Sequence, residues 1–316
     1  MKKLLKGIGW LLLSLFVLLN VMAAFHAYKF THFYPPKQVI ITPPEKMSFP
    51  QKTSAILFGI DFPSKPTADS FHIAHQTFVI NTTDGQKLEG WYAKKDTAKG
   101  TVILFHGHAG NKDGVIREAM AFYQLGYAVC MVDFRAHGNS SGNVCTIGYN
   151  EAADVKATVD FVKAKGEKNI ILWGVSMGAA SILKAMEDYK DIQPSKIIIE
   201  MSFGSLNDAV KGRLRMMQLP EQPLSTLLTF WGGLEQGFWA FNHKPYEYAR
   251  QVHTPVLLQW GRIDKRVSEA ETIAIYQNLA SSQKKLVIYE KSGHESLLKN
   301  ESEKWMETVT GFLNEK

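Results

Sequence analysis

The sequence predicts an α/β fold built on a mostly parallel sheet, and three observations lead to this prediction. Short runs of Val, Ile and Leu recur from about residue 76 onward, and longer segments with a helical period separate them. Short apolar runs are typical of strands buried on both faces, and strand–helix alternation implies parallel pairing with helices on both faces. The 316 residues are 45% apolar and 21% charged, which indicates a packed core and excludes wholesale disorder.

The N-terminal segment has the composition of a membrane signal. Three lysines within the first six residues precede 19 uncharged residues, Gly7 to Phe25, against the roughly 20 that cross a bilayer core. We expect residues 1–27 to form an uncleaved single-pass anchor. The alternative is a cleaved secretory signal, since Val21 and Ala23 form an acceptable small-residue cleavage pair. Lysines before the span favour a cytoplasmic N-terminus, which places the rest of the chain outside the cytoplasm, where it would be secreted or periplasmic after cleavage.

Residues 28–75 are rich in proline and are expected to form a tether. Pro35-Pro36 and Pro43-Pro44 are the densest proline pairs in this stretch. Proline fixes φ and removes a hydrogen-bond donor. We therefore expect the segment to lie on the domain or to lead to it, and not to form a layer of the core.

Eight strands are predicted within residues 76–316, which we interpret as one large domain. The first two flank Asp84-Gly85, and Asp-Gly between alternating apolar runs is a strong hairpin signal. A helix that ends near Gly166 separates two of the later strands. The eight segments are QTFVIN, KLEGWYAK, TVILF, YAVCMVD, NIILW, KIIIE, PVLLQW and KLVIYE.

One long connection interrupts the alternation and predicts an inserted helical cap. About 54 residues separate KIIIE from PVLLQW, far more than one crossover helix needs. We place the cap at about residues 205–245. Its many aromatic and methionine side chains either bury the cap on the body of the domain or line an apolar substrate pocket, where methionine adapts to an acyl chain.

The sequence Gly174-Val175-Ser176-Met177-Gly178 predicts a nucleophile. It follows the strand NIILW directly and opens a segment with helical character. A serine on such a tight strand-to-helix turn needs small neighbours, because the strained backbone would otherwise clash with the adjoining strand and helix. The helix N-terminus beneath it favours developing negative charge.

Serine needs a base to accept its proton, and His294 is the expected base. His294 follows the last predicted strand, so it emerges at the same sheet edge as Ser176. Asp264 follows the preceding strand and is expected to orient the imidazole. The order Ser176, Asp264, His294 is the one that this kind of triad follows along the chain. Glu200, at the end of the strand KIIIE, is the rival acid.

The oxyanion of a tetrahedral intermediate needs two donors. We expect them to be the backbone N–H groups of Met177 and His108, with Gly107 as the alternative to His108 if the loop turns earlier. His106 and His108 are not expected to bind a metal, because no third ligand has suitable spacing. The prediction is therefore a site with neither metal nor cofactor.

The charge composition also limits the kinds of partner that the protein is expected to bind. The net charge is +6, but the sequence has no long basic tract, so no nucleic-acid partner is expected.

The loop after YAVCMVD is interpreted as a structural turn in which Asp133, Arg135 and His137 tie neighbouring loops together. Cys130 and Cys145 are too few for a disulfide framework. Whether they pair, and which oligomeric state the protein has, is left open.

With these residues in place, residues 76–316 resemble the α/β-hydrolase superfamily, and especially its single-pass or secreted serine hydrolases with esterase, lipase, thioesterase or S9-peptidase-like relatives. The resemblance departs at Met201 and Ser202, where relatives often have a proline before the aromatic residue. The matching motifs, in order, are TTDGQKLEGWYAK, ILFHGHAGN, DFRAHGNSSG, GVSMG, EMSFGSLNDA, GRIDKRVS and SGHESLL.

The resemblance implies the α/β-hydrolase fold and an acyl-enzyme mechanism in which Ser176 attacks, His294 relays the proton and Asp264 orients His294. The leading hypothesis is a membrane-anchored serine hydrolase that acts on esters or thioesters of apolar acyl groups. A peptidase or amidase of the same fold is the nearer alternative. A non-catalytic binding protein on this scaffold is the second alternative, although all three triad positions are filled.

Overall fold

The computed structural model describes residues 2–34, 42, 47–68 and 70–315; the predicted proline pairs at 35–36 and 43–44 lie outside them. The strands are β1 (Phe33–Tyr34), β2 (Phe62–Pro63), β3 (Gln76–Asn81), β4 (Lys87–Ala93), β5 (Thr101–Phe105), β6 (Ala128–Val132), β7 (Ile170–Val175), β8 (Lys196–Glu200), β9 (Val256–Gly261) and β10 (Lys284–Tyr289). The α-helices are α1 (Lys2–Thr31), α2 (Phe49–Phe58), α3 (Ile116–Gln124), α4 (Glu151–Ala164), α5 (Met177–Asp188), α6 (Leu206–Met217), α7 (Leu224–Gln236), α8 (Pro245–Tyr248), α9 (Glu269–Asn278), α10 (Leu297–Asn300) and α11 (Ser302–Asn314).

The domain is built on an eight-stranded sheet with the order β10-β9-β8-β7-β5-β6-β4-β3. The β3–β4 and β4–β6 pairs are antiparallel, and the other five pairs are parallel. All side chains of the central strands β5 and β6 are buried, as expected for strands covered on both faces. The predicted mostly parallel sheet of eight strands is confirmed.

Helices cover both faces of this sheet, as two adjacent residues of β7 demonstrate. Trp173 Nε1 and Trp305 Nε1 of α11 both donate hydrogen bonds to Glu200 Oε1, so Trp173 points toward α11. A Cβ on the next residue, Gly174, would lie only 2.7 Å from the Ile182 side chain of α5. Because successive strand residues point to opposite faces, α5 and α11 lie on opposite sides of the sheet.

The segment between the N-terminal helix and the sheet differs from the predicted tether. Helix α1 continues beyond residue 27 to Thr31, and β1 pairs in parallel with β2. The side chains of Phe33, Phe62 and Phe71 are buried in the core of the domain. Burial of large apolar side chains stabilises this packing, so Phe33, Phe62 and Phe71 contribute to the core of the domain.

Helices α6 and α7 form the cap, within the residue range predicted for it. Helix α7 packs along the C-terminal half of α1. Trp231 Nε1 donates a hydrogen bond to Asn20 Oδ1 at 3.1 Å, and Gln236 Nε2 donates one to Thr31 Oγ1 at 3.2 Å. Gly232 faces Ala27 across the contact, and such small residues allow two helices to approach closely.

Helix α1 is long and apolar enough to cross a membrane, judged by its length and composition. Its large apolar side chains are exposed from Leu4 to Leu18, and the helix gains packing partners only farther along. It therefore has a free N-terminal half and a half that is fixed to the cap.

Candidate active site

Ser176 lies on the sharp turn between β7 and α5, with φ +54° and ψ −114°. This conformation is strained for a residue with a side chain, and it raises the hydroxyl above the sheet edge. Two glycines make the turn possible. A Cβ on Gly174 would lie 2.7 Å from the Gly178 carbonyl carbon, and a Cβ on Gly178 would lie 2.3 Å from the Phe105 carbonyl oxygen. The predicted need for small neighbours thus has a direct steric cause.

The structure brings the three predicted triad side chains together. His294 Nε2 lies 3.0 Å from Ser176 Oγ, and His294 Nδ1 lies 2.7 Å from Asp264 Oδ2. Because an ionised carboxylate can only accept, we assign the proton to Nδ1, which leaves Nε2 as the acceptor for the Ser176 hydroxyl. The arrangement is that of a nucleophile, a base and an orienting acid.

Asp264 is held in place by the loop after β9. Its side chain is fully buried, and its Oδ1 atom accepts hydrogen bonds from the backbone N–H groups of Arg266 at 2.7 Å and Val267 at 3.0 Å. These donors stabilise the charged carboxylate and fix its second oxygen toward His294.

Glu200, the rival acid of the sequence analysis, has other partners. Its Oε1 atom accepts hydrogen bonds from Trp173, Trp305 and the Gln259 amide. Its Oε2 atom is buried without a hydrogen-bond partner among the described residues. Burial, together with the nearby negative charge of Glu118, raises the pKa of Glu200 to about 8. Glu200 is thus hydrogen-bonded to two indoles and an amide, whereas the carboxylate that hydrogen-bonds His294 is that of Asp264.

The two predicted oxyanion donors lie at the same pocket as Ser176. Met177 begins α5, so its N–H has no acceptor within the helix. The loop after β5 passes close to the nucleophile, since a Cβ on Gly107 would lie 3.5 Å from Ser176 Cβ. Gly107, His108, Ser176 and Met177 all line a pocket of about 210 Å³. The assignment of Met177 and His108 as donors stays a prediction.

Two buried histidines hold the loop that carries His108. His106 Nδ1 faces the Gly107 carbonyl oxygen at 2.8 Å, and His106 Nε2 accepts from the Phe134 N–H. His137 has the same pattern, with Nδ1 2.8 Å from the Arg135 carbonyl oxygen and Nε2 accepting from the Ala109 N–H. Burial lowers the pKa of His106 to about 4 and that of His137 to about 3. Both imidazoles are therefore neutral structural members of the site.

The turn after β6 ties neighbouring loops together. Asp133 accepts hydrogen bonds from the N–H groups of Lys112 and Asn139. Arg135 forms a two-pronged ion pair with Asp154. The thiols of Cys130 and Cys145 are free and buried in the core. Within the part of the chain that the structure describes, no cluster of three His, Cys, Asp or Glu side chains is placed to hold a metal ion.

Three further residues at the pocket were not predicted from the sequence. Phe30, from the end of α1, stacks on His108 with ring centroids 4.6 Å apart. Arg213 of the cap and Arg266 line the pocket on the side of the cap and the Asp264 loop. Arg213 lies over the Phe30 ring. Nothing in the spacing of the sequence brings residue 30 to Ser176, because this contact depends on how α1 docks against the cap.

The chain is similar to several known proteins. The profile of a family described as "Serine aminopeptidase, S33" matches residues 96–224. An uncharacterized protein of Bacillus subtilis is 26% identical over 250 residues, which cover 78% of this chain and 82% of the relative. An uncharacterized membrane protein of Saccharomyces cerevisiae is 25% identical, with coverage of 79% and 83%.

The solved structure of a Pyrococcus furiosus esterase superimposes with a TM-score of 0.66 and 22% identity, over 90% of this chain and 98% of that one. This likeness shows the fold. The chain has the α/β-hydrolase fold.

Proposed function

We propose that the protein is a serine hydrolase that cleaves ester or thioester bonds of apolar acyl substrates. The observation that carries the proposal is the relay from Asp264 through His294 to Ser176, with hydrogen-bonding distances of 2.7 and 3.0 Å. A strained serine beside an oriented imidazole is suited to nucleophilic attack. The family profile and the likeness to solved esterases support a hydrolase.

In the proposed mechanism, Ser176 Oγ attacks the carbonyl carbon while His294 Nε2 accepts the hydroxyl proton. The N–H groups of Met177 and His108 stabilise the oxyanion of the tetrahedral intermediate. His294 then protonates the departing alcohol or thiol, which leaves an acyl group on Ser176. Water, deprotonated by His294, attacks this acyl-enzyme and releases the acid. Asp264 stabilises the imidazolium that forms in both steps.

The setting supports an apolar substrate at a membrane. Phe30, Val115, Leu206 and Val210 line the active-site pocket beside Ser176. Helix α1 has the length and composition of a membrane span. We propose that it anchors the protein with the catalytic domain outside the cytoplasm, because lysines lie before the apolar span and the cytoplasmic side favours positive charge.

A peptidase or amidase is the second candidate, and the serine aminopeptidase profile favours it. The same relay would attack an amide, with His294 protonating the leaving amine. Comparison of p-nitrophenyl acetate, octanoate and palmitate with aminoacyl-nitroanilides separates the two. Higher kcat/KM on the esters supports the esterase, and higher kcat/KM on the nitroanilides supports the peptidase.

A fluorophosphonate probe tests the enzyme class itself. We expect the full-length protein to be labelled and the Ser176→Ala variant to remain unlabelled while its thermal unfolding is unchanged. Ser181, a buried serine one turn along α5, provides the matched control, because Ser181→Ala should keep the label. Absence of labelling in folded wild-type protein would contradict the proposal and favour a non-catalytic binding protein.

A further inference from the structure

A second cavity adjoins the active-site pocket and contains none of the proposed triad residues. Its volume is about 380 Å³, which lies within the range of roughly 300–1,000 Å³ of small-molecule sites. It lies between α1, α2 and the two cap helices. Five residues line both spaces, and they form the boundary that the cavity shares with the active-site pocket: Phe30, Ile147, Leu206, Val210 and Arg213.

The lining of this cavity is mostly hydrocarbon. The charged and titratable groups at its edge have partners of their own: Lys29 forms an ion pair with Asp61, His26 Nε2 lies 2.8 Å from the Ile56 carbonyl oxygen, and the Arg213 guanidinium lies over the Phe30 ring. An apolar lining of this kind suits an alkyl chain better than an ionic ligand. The apolar lining includes Leu19, Met22, Ala23, Met217 and Leu228.

The position of the cavity relative to a bilayer follows from the geometry of α1. The apolar span from Gly7 to Phe25 is about 28 Å long at 1.5 Å per residue, close to the roughly 30 Å of a bilayer core. The last seven residues of this span, Leu19 to Phe25, include three that line the cavity. If α1 crosses the membrane, about 7 Å of the cavity wall, from Leu19 to Ala23, therefore lies at bilayer depth.

The surface around the cavity is suited to contact with a membrane. Phe58 on α2 and Trp239 beside the cap are more than half exposed. Exposed aromatic side chains are typical of the region where a protein meets lipid headgroups. A large apolar patch that is exposed to water favours association with another surface, such as a membrane. The other exposed large apolar residues on α2 and α7 are Phe49, Leu57, Phe230 and Leu234.

We propose that this cavity holds an acyl chain of a membrane lipid and so places the ester carbonyl of that lipid at Ser176. The proposal rests on the serine-hydrolase function proposed above and names its substrate class. Helix α1 is then a wall of the substrate site as well as an anchor. The flexible thioethers of Met22 and Met217 adapt to the bent shapes of an alkyl chain.

A pair of tryptophan substitutions on α7 tests the proposal in full-length protein. Leu228 lines the cavity, whereas Leu234 on the same helix is exposed. We expect Leu228→Trp to lower kcat/KM for p-nitrophenyl palmitate at least tenfold and to change kcat/KM for the acetate less than twofold. Leu234→Trp should leave both unchanged. Unchanged palmitate hydrolysis in Leu228→Trp would overturn the proposal.

Photolabelling gives a second test that needs no substitution among the residues that line the cavity. Full-length Ser176→Ala protein is placed in phosphatidylcholine vesicles that contain a phosphatidylcholine with a diazirine on its acyl chain. After irradiation, we expect label on the cavity residues Met22 and Leu228 in addition to the outward-facing Leu15 and Leu18. Label confined to Leu15 and Leu18 would overturn the proposal.

The two tests separate this proposal from the function on which it rests. If the protein is not a hydrolase, wild type hydrolyses neither the acetate nor the palmitate, yet the cavity is still labelled. If the cavity does not hold a lipid chain, wild type still hydrolyses the acetate and reacts with fluorophosphonate, but the cavity is not labelled.

Discussion

Trp305 Nε1 donates a hydrogen bond of 2.7 Å to Glu200 Oε1 and so joins the last helix to a carboxyl group beneath the nucleophile turn. Glu200 is fully buried, and burial raises its pKa to about 8. At neutral pH the folded protein therefore keeps a proton on this carboxyl group that the unfolded chain, with a pKa near 4.5, releases.

The proton on Glu200 predicts how stability depends on pH. Between about pH 4.5 and pH 8 the folded state binds one proton more than the unfolded state at this site, so the contribution of Glu200 to stability falls as pH rises. The limiting slope is about 1.4 kcal/mol per pH unit. We expect Glu200→Gln, which stays neutral, to be less sensitive to pH in thermal unfolding between pH 5 and 8. If the melting temperatures of the variant and wild type changed with pH in the same way, this prediction would be contradicted.

The acid of the triad is tested by comparing two neutral replacements. Asp264→Asn removes the acceptor that holds the Nδ1 proton of His294, so we expect kcat to fall by roughly 10³- to 10⁴-fold with the fold intact. Glu200→Gln should keep kcat within about threefold, because Glu200 contacts the indoles and not His294. Ester hydrolysis and circular dichroism of both variants provide the measurement. The opposite ranking of the two variants would assign the acid role to Glu200.

His137 is expected to act by positioning the oxyanion loop. Its removal leaves the Ala109 N–H and the Arg135 carbonyl oxygen without these partners, and each unpaired buried group costs about 1–3 kcal/mol. We expect His137→Ala to lower kcat at least about tenfold, since one lost oxyanion donor costs about 10²-fold or more, with little change in KM.

The exposed His253 serves as the control for His137. His253→Ala should match wild type in kcat, KM and melting temperature. If His137→Ala changes only the melting temperature, His137 supports the fold without positioning the loop.

Two glycines near Ser176 are expected to differ in how an added methyl group affects stability. A Cβ on Gly178 would lie 2.3 Å from a backbone oxygen, whereas a Cβ on Gly107 would make an ordinary contact of 3.5 Å with Ser176. We expect Gly178→Ala to destabilise the protein by at least about 2 kcal/mol, with a melting temperature lower by about 5 °C. Gly107→Ala should melt within about 1 °C of wild type. Equal melting temperatures of the two variants would show that the nucleophile turn can relax.

Local patterns were enough to predict the sheet and the relay to Ser176. The strands have distinct apolar runs, and their carboxyl ends must meet at one sheet edge, so Ser176, Asp264 and His294 could be expected to lie together. The contact of Phe30 with His108 could not, because it depends on the angle at which α1 docks against α7. Proline content suggested a tether for residues 28–75, but the burial of Phe33 and Phe62 outweighed it.

The hydrogen bond between Asn20 and Trp231 has a consequence for processing of the chain. A peptidase that cut after Ala23 would remove Asn20 together with Leu19 and Met22. The shortened product would lose one side of its hydrocarbon-lined chamber and expose the remainder to water, where such surfaces promote aggregation. Cleavage at that point would thus release a defective soluble product, and we expect the leader to stay a permanent part of the mature protein.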